Sequence, residues 1–574
     1  MPMHNAEIAE MFNRLADLLE IEGANPFRVR AYRNAARAVG GMSKSMADLV
    51  SQGQDLSELP NIGKDLAEKI ATIVKTGTLP LLDEVEERTP SALSDLMKIG
   101  GLGPKRVKVL YKQLGIESAE GLKRAAEEGK IRDLEGFGTK TEQMILERLP
   151  GARSKEEKRH RLIDAEEIVE PLVGYLKESE GPKGIAVAGS YRRRKETVGD
   201  LDILVTAKKG SSIMDRLVEY DEVSDVISHG TTRSTVVLRS GMQVDVRVVP
   251  EVSYGAALQY FTGSKAHNIA VRKLAGKKDL KINEYGVFRG DKRVAGKTEH
   301  EVYKKVGLRF IEPELREDRG EIEAARKGRL PGLVTLEDMR GDLHCHTNAT
   351  DGHDSLEKMV RGAAELGLDY IAICDHSKHL TVANGLDEKR LLKQIKAIDS
   401  LQEKFDQIGI LKSIELDILT DGTLDLPDDV LKELDLTVCA VHYKFNLTRK
   451  QQTERIIRAM DNPHFNILAH PTGRMIGERE PYEVDLEKVI EAAAERGCFL
   501  EVNAHPERLD LTDDGCKLAK DTGVKVAIST DAHSTADLEL MRYGVGQARR
   551  GWLEPNDVIN TRSWRELKKL LKRT

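Results

Sequence analysis

The chain contains 574 residues, of which 40% are hydrophobic and 32% charged, and its net charge is −6. This length and balance predict a multidomain globular protein and exclude a disordered chain. No apolar run reaches the roughly 18 residues that cross a bilayer, and the stretch "MPMHNAEIAEMF" lacks the apolar core of a secretory signal. The five cysteines show no CxxC spacing, as expected of reduced thiols. The sequence therefore predicts a cytoplasmic protein without a membrane partner.

The distribution of charged residues and of histidines changes near residue 340. Up to that point there are 57 Lys and Arg against 54 Asp and Glu, and beyond it 32 against 41. Five histidines precede the division and ten follow it, as do all five cysteines. This division predicts two functional halves, the second acidic and rich in histidine. Neither half is basic enough to indicate nucleic-acid binding from charge alone.

Residues 1–150 are predicted to form short amphipathic helices, because apolar residues recur at helical spacing in "NAEIAEMFNRLADLLEI". A Gly-containing turn before a helix with a nearby Lys occurs three times, in "LPNIGKDLAEKI", "KIGGLGPKRVKVL" and "LEGFGTKTEQMIL". Free backbone N–H groups at such helix starts bind phosphate. A single copy of this pattern could be a turn that only joins two packed helices. Three copies favour phosphate binding instead. The pattern resembles the helix–hairpin–helix motif of non-sequence-specific DNA binders and implies DNA contacts at Gly63, Lys64, Gly101, Gly103, Lys105, Gly136, Gly138 and Lys140.

Three aspartates are predicted to meet on one face of a small β-sheet. Asp200 and Asp202, in "GDLDILV", are two residues apart and would share a face of one strand. In "QVDVRVV" Val244, Val246 and Val248 face one way, so Asp245 points the other way. Three carboxylates this close repel one another unless they bind divalent cations, and two Mg²⁺ ions are what in-line phosphoryl transfer uses.

The stretch "AGSYRRR", just before the first of these strands, suits a triphosphate. Gly189 and Ser190 would let the backbone and a hydroxyl approach the phosphates, and Arg193 would neutralise them. Two aspartates on a strand can be plain surface residues. The Gly-Ser turn and the three arginines favour a phosphate site instead.

Gly-Ser, "GDLD" and a third Asp together resemble the nucleotidyltransferase superfamily. The stretches "LQYFTGSKAHNIAVR" and "NEYGVF", with the helix–hairpin–helix repeats, narrow the resemblance to family X DNA polymerases, the DNA polymerase beta group, over about residues 1–320. This resemblance implies gap filling on DNA with deoxynucleoside triphosphates, and Mg²⁺ or Mn²⁺ on Asp200, Asp202 and Asp245. It also implies nucleotide contacts at Gly189, Ser190, Arg193, Gly199, Tyr260, Phe261, Gly263, Asn268 and Arg272.

Two positions depart from the family pattern around the nucleotide. Gln243 stands where DNA polymerase beta has an Arg beside its third carboxylate, and Lys265 replaces an acid of the nucleotide pocket. Fidelity and nucleotide affinity are therefore expected to differ from those of that polymerase.

By the same resemblance, Lys69 in "LAEKI" matches a lyase nucleophile that forms a Schiff base with a deoxyribose phosphate. Its surroundings match less well. Asp65 replaces a Lys and Phe27 replaces a His, while Tyr32 is kept. A lone Lys on a helix is ordinarily a solvated surface residue, so the lyase role depends on this one match.

From Asp342 onward, short apolar runs alternate with helical segments, the pattern of an α/β barrel. Histidines and carboxylates follow these runs, beginning with the HxH of "GDLHCHTNATDGHD", and are predicted at the C-terminal ends of barrel strands, where barrel active sites gather. A single histidine at such a position is more often a buried core residue, hydrogen-bonded within the protein, than a metal ligand. Nine ligands at successive strand ends suit two or three Zn²⁺ or Mn²⁺ ions that activate water. They are His344, His346, Asp351, His376, Glu415, His442, His470, Asp531 and His533.

This cluster resembles the PHP (polymerase and histidinol phosphatase) domain over about residues 340–574. The resemblance implies Mn²⁺-dependent 3′–5′ trimming of DNA ends, with incision at abasic sites as a related activity. No ligand position is lost, which argues against an inactive form. The resemblance distributes the ligands as His344, His346, Glu415 and Asp531 on one ion, Glu415, His442 and His470 on a second, and Asp351, His376 and His533 on a third.

Two alternatives for the C-terminal half stay open: a phosphatase for small phosphate esters, and a zinc-stabilised module that positions DNA without cleaving it. The predicted fold is multidomain, with helical helix–hairpin–helix N-terminal domains, an α+β nucleotidyltransferase palm and thumb, and a C-terminal α/β barrel of PHP type. We expect a monomer that acts on gapped or nicked DNA in repair. The predicted boundaries are 1–80 for a lyase-like helical domain, 81–150 for a helix–hairpin–helix subdomain, 151–250 for the palm, 251–315 for a nucleotide-selecting subdomain, 316–339 for a linker and 340–574 for the PHP domain.

Overall fold

The chain forms two compact units, residues 1–158 and residues 159–574. The computed structural model shows no helix, within the residues it describes, that is long and apolar enough to cross a membrane. The described residues are 5–40, 46–59, 62–97, 99, 102–134, 136–138, 141–142, 145–146, 159–178, 183–207 and 212–571.

The first unit is helical in the part of it that is described. Its first helix buries Ile8, Phe12, Leu15 and Leu19, which lie three or four residues apart and so share one face. This face packs against the helices that follow and forms one continuous core with them. The helices are Asn5–Glu22, Pro26–Gly40, Met46–Ser51, Lys64–Thr76, Pro80–Glu86, Ala92–Leu96, Pro104–Leu114 and Ala119–Glu127.

The second unit begins with a five-stranded mixed sheet, here named the palm (residues 159–250). Its two central strands, Asp200–Thr206 and Gln243–Val249, run parallel to each other, and each also has an antiparallel neighbour. Alternate apolar residues of these strands pack on the helix Leu162–Lys177. On the opposite face, Leu204 and Val249 pack on the helix Tyr254–Thr262, and the starts of the strands carry the polar groups. In sheet order the strands are Gly184–Val187, Asp200–Thr206, Gln243–Val249, Arg233–Leu238 and Val223–His229; a short pair, His160–Arg161 with Thr197–Val198, and the helices Gly189–Arg192 and Ile213–Val218 complete the palm.

A helical subdomain with a small antiparallel sheet follows the palm, and the chain then crosses to the barrel through residues 316–339. This crossing segment is folded rather than extended: Arg316 is fully buried and donates to Glu299 at 2.6 Å and to the carbonyl of Ile311 at 2.9 Å. The elements are the helices Tyr254–Thr262, Lys265–Gly276, Glu299–Val306 and Glu321–Lys327 and the strands Lys281–Asn283, Gly286–Arg289 and Lys292–Ala295.

The remaining residues form a closed ring of parallel strands surrounded by helices. A three-stranded and a five-stranded parallel sheet are joined by bridges between His376 and Glu415 and between Cys345 and Ala532. Both faces of these strands are covered, which explains their nearly continuous apolar sequences. The strands are Gly341–Cys345, Tyr370–Ile373, Gly409–Lys412, Glu415–Asp417, Val438–Ala440, Ile467–Leu468, Phe499–Asn503 and Val526–Ser529, and the helices are Leu356–Glu365, Glu388–Gln402, Asp428–Leu431, Arg449–Ala459, Leu486–Arg496, Asp513–Thr522, Met541–Arg550 and Trp564–Leu570.

The palm and the barrel share a packed interface within the second unit. Leu509 and Tyr543 of the barrel are buried in the same apolar cluster as the palm core. The hydroxyl of Tyr543 donates to Glu166 at 2.5 Å, and Arg161 donates to Glu507 at 2.5 Å. Apolar contact combined with charged hydrogen bonds makes this a fixed interface rather than a flexible tether.

Candidate active sites

The three palm aspartates lie side by side on the two central strands. Asp202 and Asp245 occupy the same register position of the parallel pair, and Asp200 precedes Asp202 on the same face. Burial, and then the negative charges of Asp200 and Asp245, raise the pKa of Asp202 to about 7. A divalent cation would remove this repulsion, so the donor set fits the metal site predicted from the sequence.

Asp245 is held by three donors from its own strand and the neighbouring strand. Thr235 donates to Oδ1 at 2.7 Å, Arg233 donates to the same oxygen at 3.0 Å, and the amide of Gln243 donates to Oδ2 at 3.0 Å. The cationic partner that position 243 lacks is therefore supplied by Arg233. Sequence reasoning missed this residue because only the pairing of the two strands brings it to Asp245.

A cavity of about 890 Å³ opens beside these aspartates. Gly189 at its wall has a φ of 62°, and a Cβ there would lie 2.9 Å from Oδ2 of Asp202, so only glycine fits. Most of the residues predicted to bind the nucleotide or the metal line this cavity, and the two exceptions are Gly199 and Asp245. Those that line it are Gly189, Ser190, Arg193, Asp200, Asp202, Tyr260, Phe261, Gly263, Asn268 and Arg272.

Several of these lining groups are already held in place by the protein. Arg193 donates to the carbonyl of Thr262 at 2.5 Å and to Glu317 at 3.0 Å. Asn268 donates to the carbonyl of Tyr260 at 2.7 Å and accepts from Gln259 at 2.7 Å. Bonds of this kind fix side chains before a ligand binds, which reduces the entropy lost on binding.

In the first unit, two of the predicted phosphate-binding turns lie at helix starts. Gly63 precedes the helix Lys64–Thr76 and Gly103 precedes the helix Pro104–Leu114, and neither helix start has a side-chain cap. The first-turn N–H groups are therefore available for phosphate. Lys64 and Lys105 lie in these first turns and are exposed. In the third predicted turn, Gly136 is exposed and Gly138 is partly exposed. Gly101 and Lys140 lie outside the described residues.

Lys69, the predicted lyase nucleophile, is paired with an acid one helical turn away. Its ammonium donates to the carboxylate of Asp65. Tyr32 is buried and Phe27 is 77% exposed. The described structure thus places an anion beside Lys69, at a position where the family pattern has a Lys.

Glu415 lies at the centre of the barrel site. Its Oε1 is 2.9 Å from Nε2 of His470 and 3.1 Å from Nε2 of His442, and its Oε2 is 2.8 Å from Nδ1 of His376. Burial opposes protonation of His376, but the carboxylates of Glu415 and Asp351 outweigh it and raise the pKa of His376 to about 10.

Two further carboxylates complete the cluster. Asp531 is 3.1 Å from Nε2 of His346 and 3.6 Å from Nε2 of His344. Asp351 is 3.1 Å from Nε2 of His376, 3.6 Å from His533 and 3.7 Å from His346. All nine predicted ligands are therefore brought together in one cluster at the carboxyl ends of the strands. Three groups have ligand atoms close enough for one ion each: His346 with Asp351, His376 and His533; His344 with His346 and Asp531; and His376 with Glu415 and His442.

Buried nitrogen atoms in this cluster show that it suits metal ions. Nε2 of His344 and both ring nitrogens of His346 are buried and make no well-aligned hydrogen bond in the described structure, although Asp531 lies 3.1 Å from Nε2 of His346. Buried polar atoms are normally satisfied, and an unpaired imidazole nitrogen costs free energy unless it binds a ligand. Imidazole and carboxylate donors in one pocket are the set that Zn²⁺ and Mn²⁺ accept.

Acids outside the nine ligands orient the histidines. Glu501 lies 2.7 Å from Nδ1 of His344, and Asp417 lies 3.2 Å from Nδ1 of His442. Such contacts fix which nitrogen faces the metal. Asp417 follows Glu415 by two residues on one strand, so strand alternation could have identified it. Glu501 lay beyond sequence reasoning, because its contact with His344 joins residues 157 positions apart.

Five family models match successive parts of the chain. They are a helix-hairpin-helix domain over residues 3–79, a SAM-like helix-hairpin-helix tandem over 93–149, the DNA polymerase beta palm over 159–248, the DNA polymerase beta thumb over 257–317 and the PHP domain over 342–505. These matches confirm the predicted fold class, including the assignment of the barrel to the PHP type.

Curated relatives match the whole chain or parts of it. A probable phosphatase of Thermoanaerobacter sp. (strain X514) is 32% identical over 38% of this chain and 89% of its own length, and DNA polymerase lambda of Rattus norvegicus is 28% identical over 55% and 56%. The DNA polymerase/3′–5′ exonuclease PolX of Bacillus subtilis (strain 168) is 38% identical over the full length of both chains. Together with the palm, thumb and PHP matches, this confirms the predicted resemblance: the chain belongs to the PolX family of DNA polymerase/3′–5′ exonucleases, family X polymerases that carry a C-terminal PHP domain.

Proposed function

We propose that the palm extends the 3′ ends of gapped or nicked DNA with deoxynucleoside triphosphates, and that the barrel removes nucleotides from the same ends. The observation that carries the first activity is the placement of Asp202 and Asp245 at one register position of neighbouring strands, with Asp202 lining a cavity of about 890 Å³. Mg²⁺ or Mn²⁺ held by Asp200, Asp202 and Asp245 would supply two-metal phosphoryl transfer.

The residues around this cavity suit a nucleotide. Gly189 lets the backbone approach a phosphate closely, and Arg193 brings positive charge to it. Tyr260 and Phe261 offer aromatic surface at the same cavity, their rings 5.1 Å apart. Exposed helix starts at Gly63 and Gly103 provide sequence-independent contacts to DNA phosphates.

For the barrel we propose 3′–5′ exonuclease activity with two or three Zn²⁺ or Mn²⁺ ions, and incision at abasic sites as a related activity. The complete set of nine ligands supports catalysis over the non-catalytic DNA-positioning module considered from the sequence. Ions held there would supply an activated water and neutralise a phosphodiester. Glu501 and Asp417 hold His344 and His442 in the orientation that binding requires.

The experiment that tests both sites uses a 5′-labelled primer on gapped duplex DNA. With Mn²⁺ and no nucleotides, wild type should shorten the primer and His344→Ala/His346→Ala should not. With nucleotides, that variant should still extend the primer and Asp200→Asn/Asp202→Asn should not. If the barrel variant shortens primers as fast as wild type, the exonuclease is not in the barrel.

A second candidate for the barrel is a phosphatase of small phosphate esters, which the similarity to probable phosphatases favours. The two candidates differ in substrate size, so a monoester and a labelled oligonucleotide given to the same preparation separate them. We propose the exonuclease because the full-length relative is named as one. Faster turnover of the monoester than of the oligonucleotide would favour the phosphatase instead.

We further propose that the chain acts as a monomer in the cytoplasm in DNA repair, with boundaries near residues 80, 150, 250, 315 and 340. Size-exclusion chromatography with light scattering tests the monomer. Limited proteolysis followed by mass spectrometry tests the boundaries, and we expect the earliest cleavage between the two compact units, near residue 158. A dimer, or first cleavage inside one of the proposed domains, would contradict these proposals.

A further inference from the structure

Part of the wall of the palm cavity comes from the barrel. Thr512, Asp513 and Asp514, which follow the strand Phe499–Asn503, line the cavity together with Gln547 and Arg550 from the end of the helix Met541–Arg550. The palm and the crossing segment supply further positively charged lining, which includes Arg193, Lys195 and Arg319. The space beside the palm aspartates is thus completed by a domain that carries its own separate cluster of candidate metal ligands.

Arg550 is the residue that joins these two walls. It is 4% exposed, and its Nη1 donates to the backbone carbonyl of Arg193 at 2.9 Å and to Oε1 of Glu317 at 3.0 Å. Its Nη2 donates to Asp513 at 2.6 Å. A planar guanidinium can hold several acceptors in fixed directions at once, which the ammonium of lysine does not reproduce.

Arg193 and Arg550 share one carboxylate oxygen. Nε of Arg193 donates to Oε1 of Glu317 at 3.0 Å, the same oxygen that Arg550 contacts. Burial opposes the charge on Glu317, but Arg193 and Arg550 outweigh it and lower the pKa of that carboxyl. Glu317 is therefore an anion whose charge is divided between two arginines.

This division determines how strongly Glu317 competes with a phosphate for Arg193. A guanidinium has five N–H donors, so the bonds from Nε and Nη1 of Arg193 leave others for phosphate oxygens. Without Arg550, Glu317 would draw its compensation chiefly from Arg193, and Asp513 would keep only Arg319, at 3.1 Å, against its negative charge in the same cavity. Both changes oppose the binding of an anionic nucleotide.

We propose that Arg550, a barrel residue, is a positioning residue for the polymerase reaction. It fixes the backbone of Arg193 and shares the charge of Glu317, so that Arg193 is available to the phosphates of the incoming nucleotide. The inference rests on the proposed binding of deoxynucleoside triphosphates in the palm cavity. It assigns the PHP domain a part in nucleotide affinity in addition to hydrolysis at its own metals.

The test is steady-state gap filling with Arg550→Ala in the full-length protein, beside a matched control. Arg542→Ala removes another arginine of the same helix, one that contacts Glu166 of the palm at 3.3 Å but does not line the cavity. For Arg550→Ala we expect KM for the nucleotide to rise about tenfold or more with a smaller change in kcat, because one hydrogen bond to a charged group contributes about a factor of ten in affinity. Arg542→Ala should stay within about twofold.

If Arg550 only held the two domains together, removing the charge of Glu317 would not change KM for the nucleotide. We therefore expect Glu317→Gln, added to Arg550→Ala, to lower KM again, because the competing anion is gone. Arg550→Lys, which keeps the charge but not the fork of donors, should give an intermediate KM and serves as the test if the alanine variant does not fold. Primer shortening with Mn²⁺ and no nucleotides should persist in every variant and shows that the barrel is intact.

The outcomes separate this inference from the proposed function. If Arg193→Ala raises KM while Arg550→Ala and Arg550→Lys match wild type, the role of Arg550 is wrong and the nucleotide site stands. If Arg193→Ala also leaves KM unchanged, the nucleotide site itself is wrong. An equal rise in Arg542→Ala, or no effect of Glu317→Gln on Arg550→Ala, would reduce Arg550 to a general interface contact and overturn the inference.

Discussion

The guanidinium of Arg233 lies 3.0 Å from Oδ1 of Asp245, across the antiparallel pair of strands that carries both residues. Gln243 on the strand of Asp245 holds the other carboxylate oxygen at 3.0 Å. The family pattern has an arginine at position 243, so the chain keeps a cation beside its third aspartate by taking it from the adjacent strand. This placement keeps Asp245 oriented while leaving a neutral amide at position 243.

Replacing Arg233 by alanine is expected to lower kcat for nucleotide insertion roughly tenfold. Asp245 would lose a charged hydrogen bond and with it part of its fixed orientation, which amounts to about 1.5 kcal/mol or more. The measurement is single-nucleotide insertion on gapped DNA at saturating nucleotide. Arg239→Ala, at the exposed far end of the same strand pair, is the matched control and should match wild type. Equal losses in both variants would show that Arg233 acts only through general surface charge.

Metal binding at the barrel should be visible as thermal stabilisation without any substrate. In an Asp202→Asn background, chosen to weaken the palm site, protein stripped with EDTA should gain stability when Mn²⁺ is added. At about 100 times the dissociation constant the gain is about 2.7 kcal/mol. His344→Ala/His346→Ala should lose most of the gain, whereas His464→Ala, outside the cluster, should keep it. Stabilisation that survives in the double-alanine variant would place the bound Mn²⁺ elsewhere.

Lys69 offers a test of the lyase expectation through its neighbour. A Lys69 side chain engaged by Asp65 is a poor nucleophile, because Schiff-base formation needs an amine that is free to attack the sugar aldehyde. We expect little borohydride-trapped adduct between wild type and a 5′-deoxyribose phosphate in nicked DNA, and several times more with Asp65→Ala. Lys69→Ala should give none in either background. Adduct formation that persists in Lys69→Ala would identify a different amine.

Strand alternation and the ends of apolar runs predicted which candidate metal ligands lie close together. The palm aspartates follow from a period of two along each strand, and the barrel ligands follow from polar residues placed just after buried runs. What could not be predicted depends on contacts between elements distant in sequence. Arg233 reaches Asp245 only through the register of its hairpin, and Arg550 reaches Glu317 only because the barrel docks on the palm. No local pattern carries such information.

The buried carboxylate of Glu299 gives the second unit an acid-sensitive joint. Arg192 of the palm donates to it at 2.6 Å, and so does the fully buried Arg316 of the crossing segment. Burial raises the pKa of Glu299, but these two arginines outweigh it and the net shift is downward. A carboxyl whose pKa is lower folded than unfolded stabilises the protein above its ordinary pKa, about 4.5, and this contribution is lost as the pH falls below that value.

Glu299→Gln should therefore lower the free energy of unfolding at pH 7.5 by about 3 kcal/mol, because it leaves Arg316 buried without its anion. The variant should also lose less stability than wild type between pH 5 and pH 3.5, since the group that titrates there is gone. Urea denaturation of the full-length protein across this range measures both effects. Glu323→Gln, on the helix Glu321–Lys327, removes a surface acid that contacts Arg326 and Lys327 of the same helix. This control should leave the free energy of unfolding close to the wild-type value. If Glu299→Gln keeps the acid slope of wild type, the joint at Glu299 is not the group that titrates.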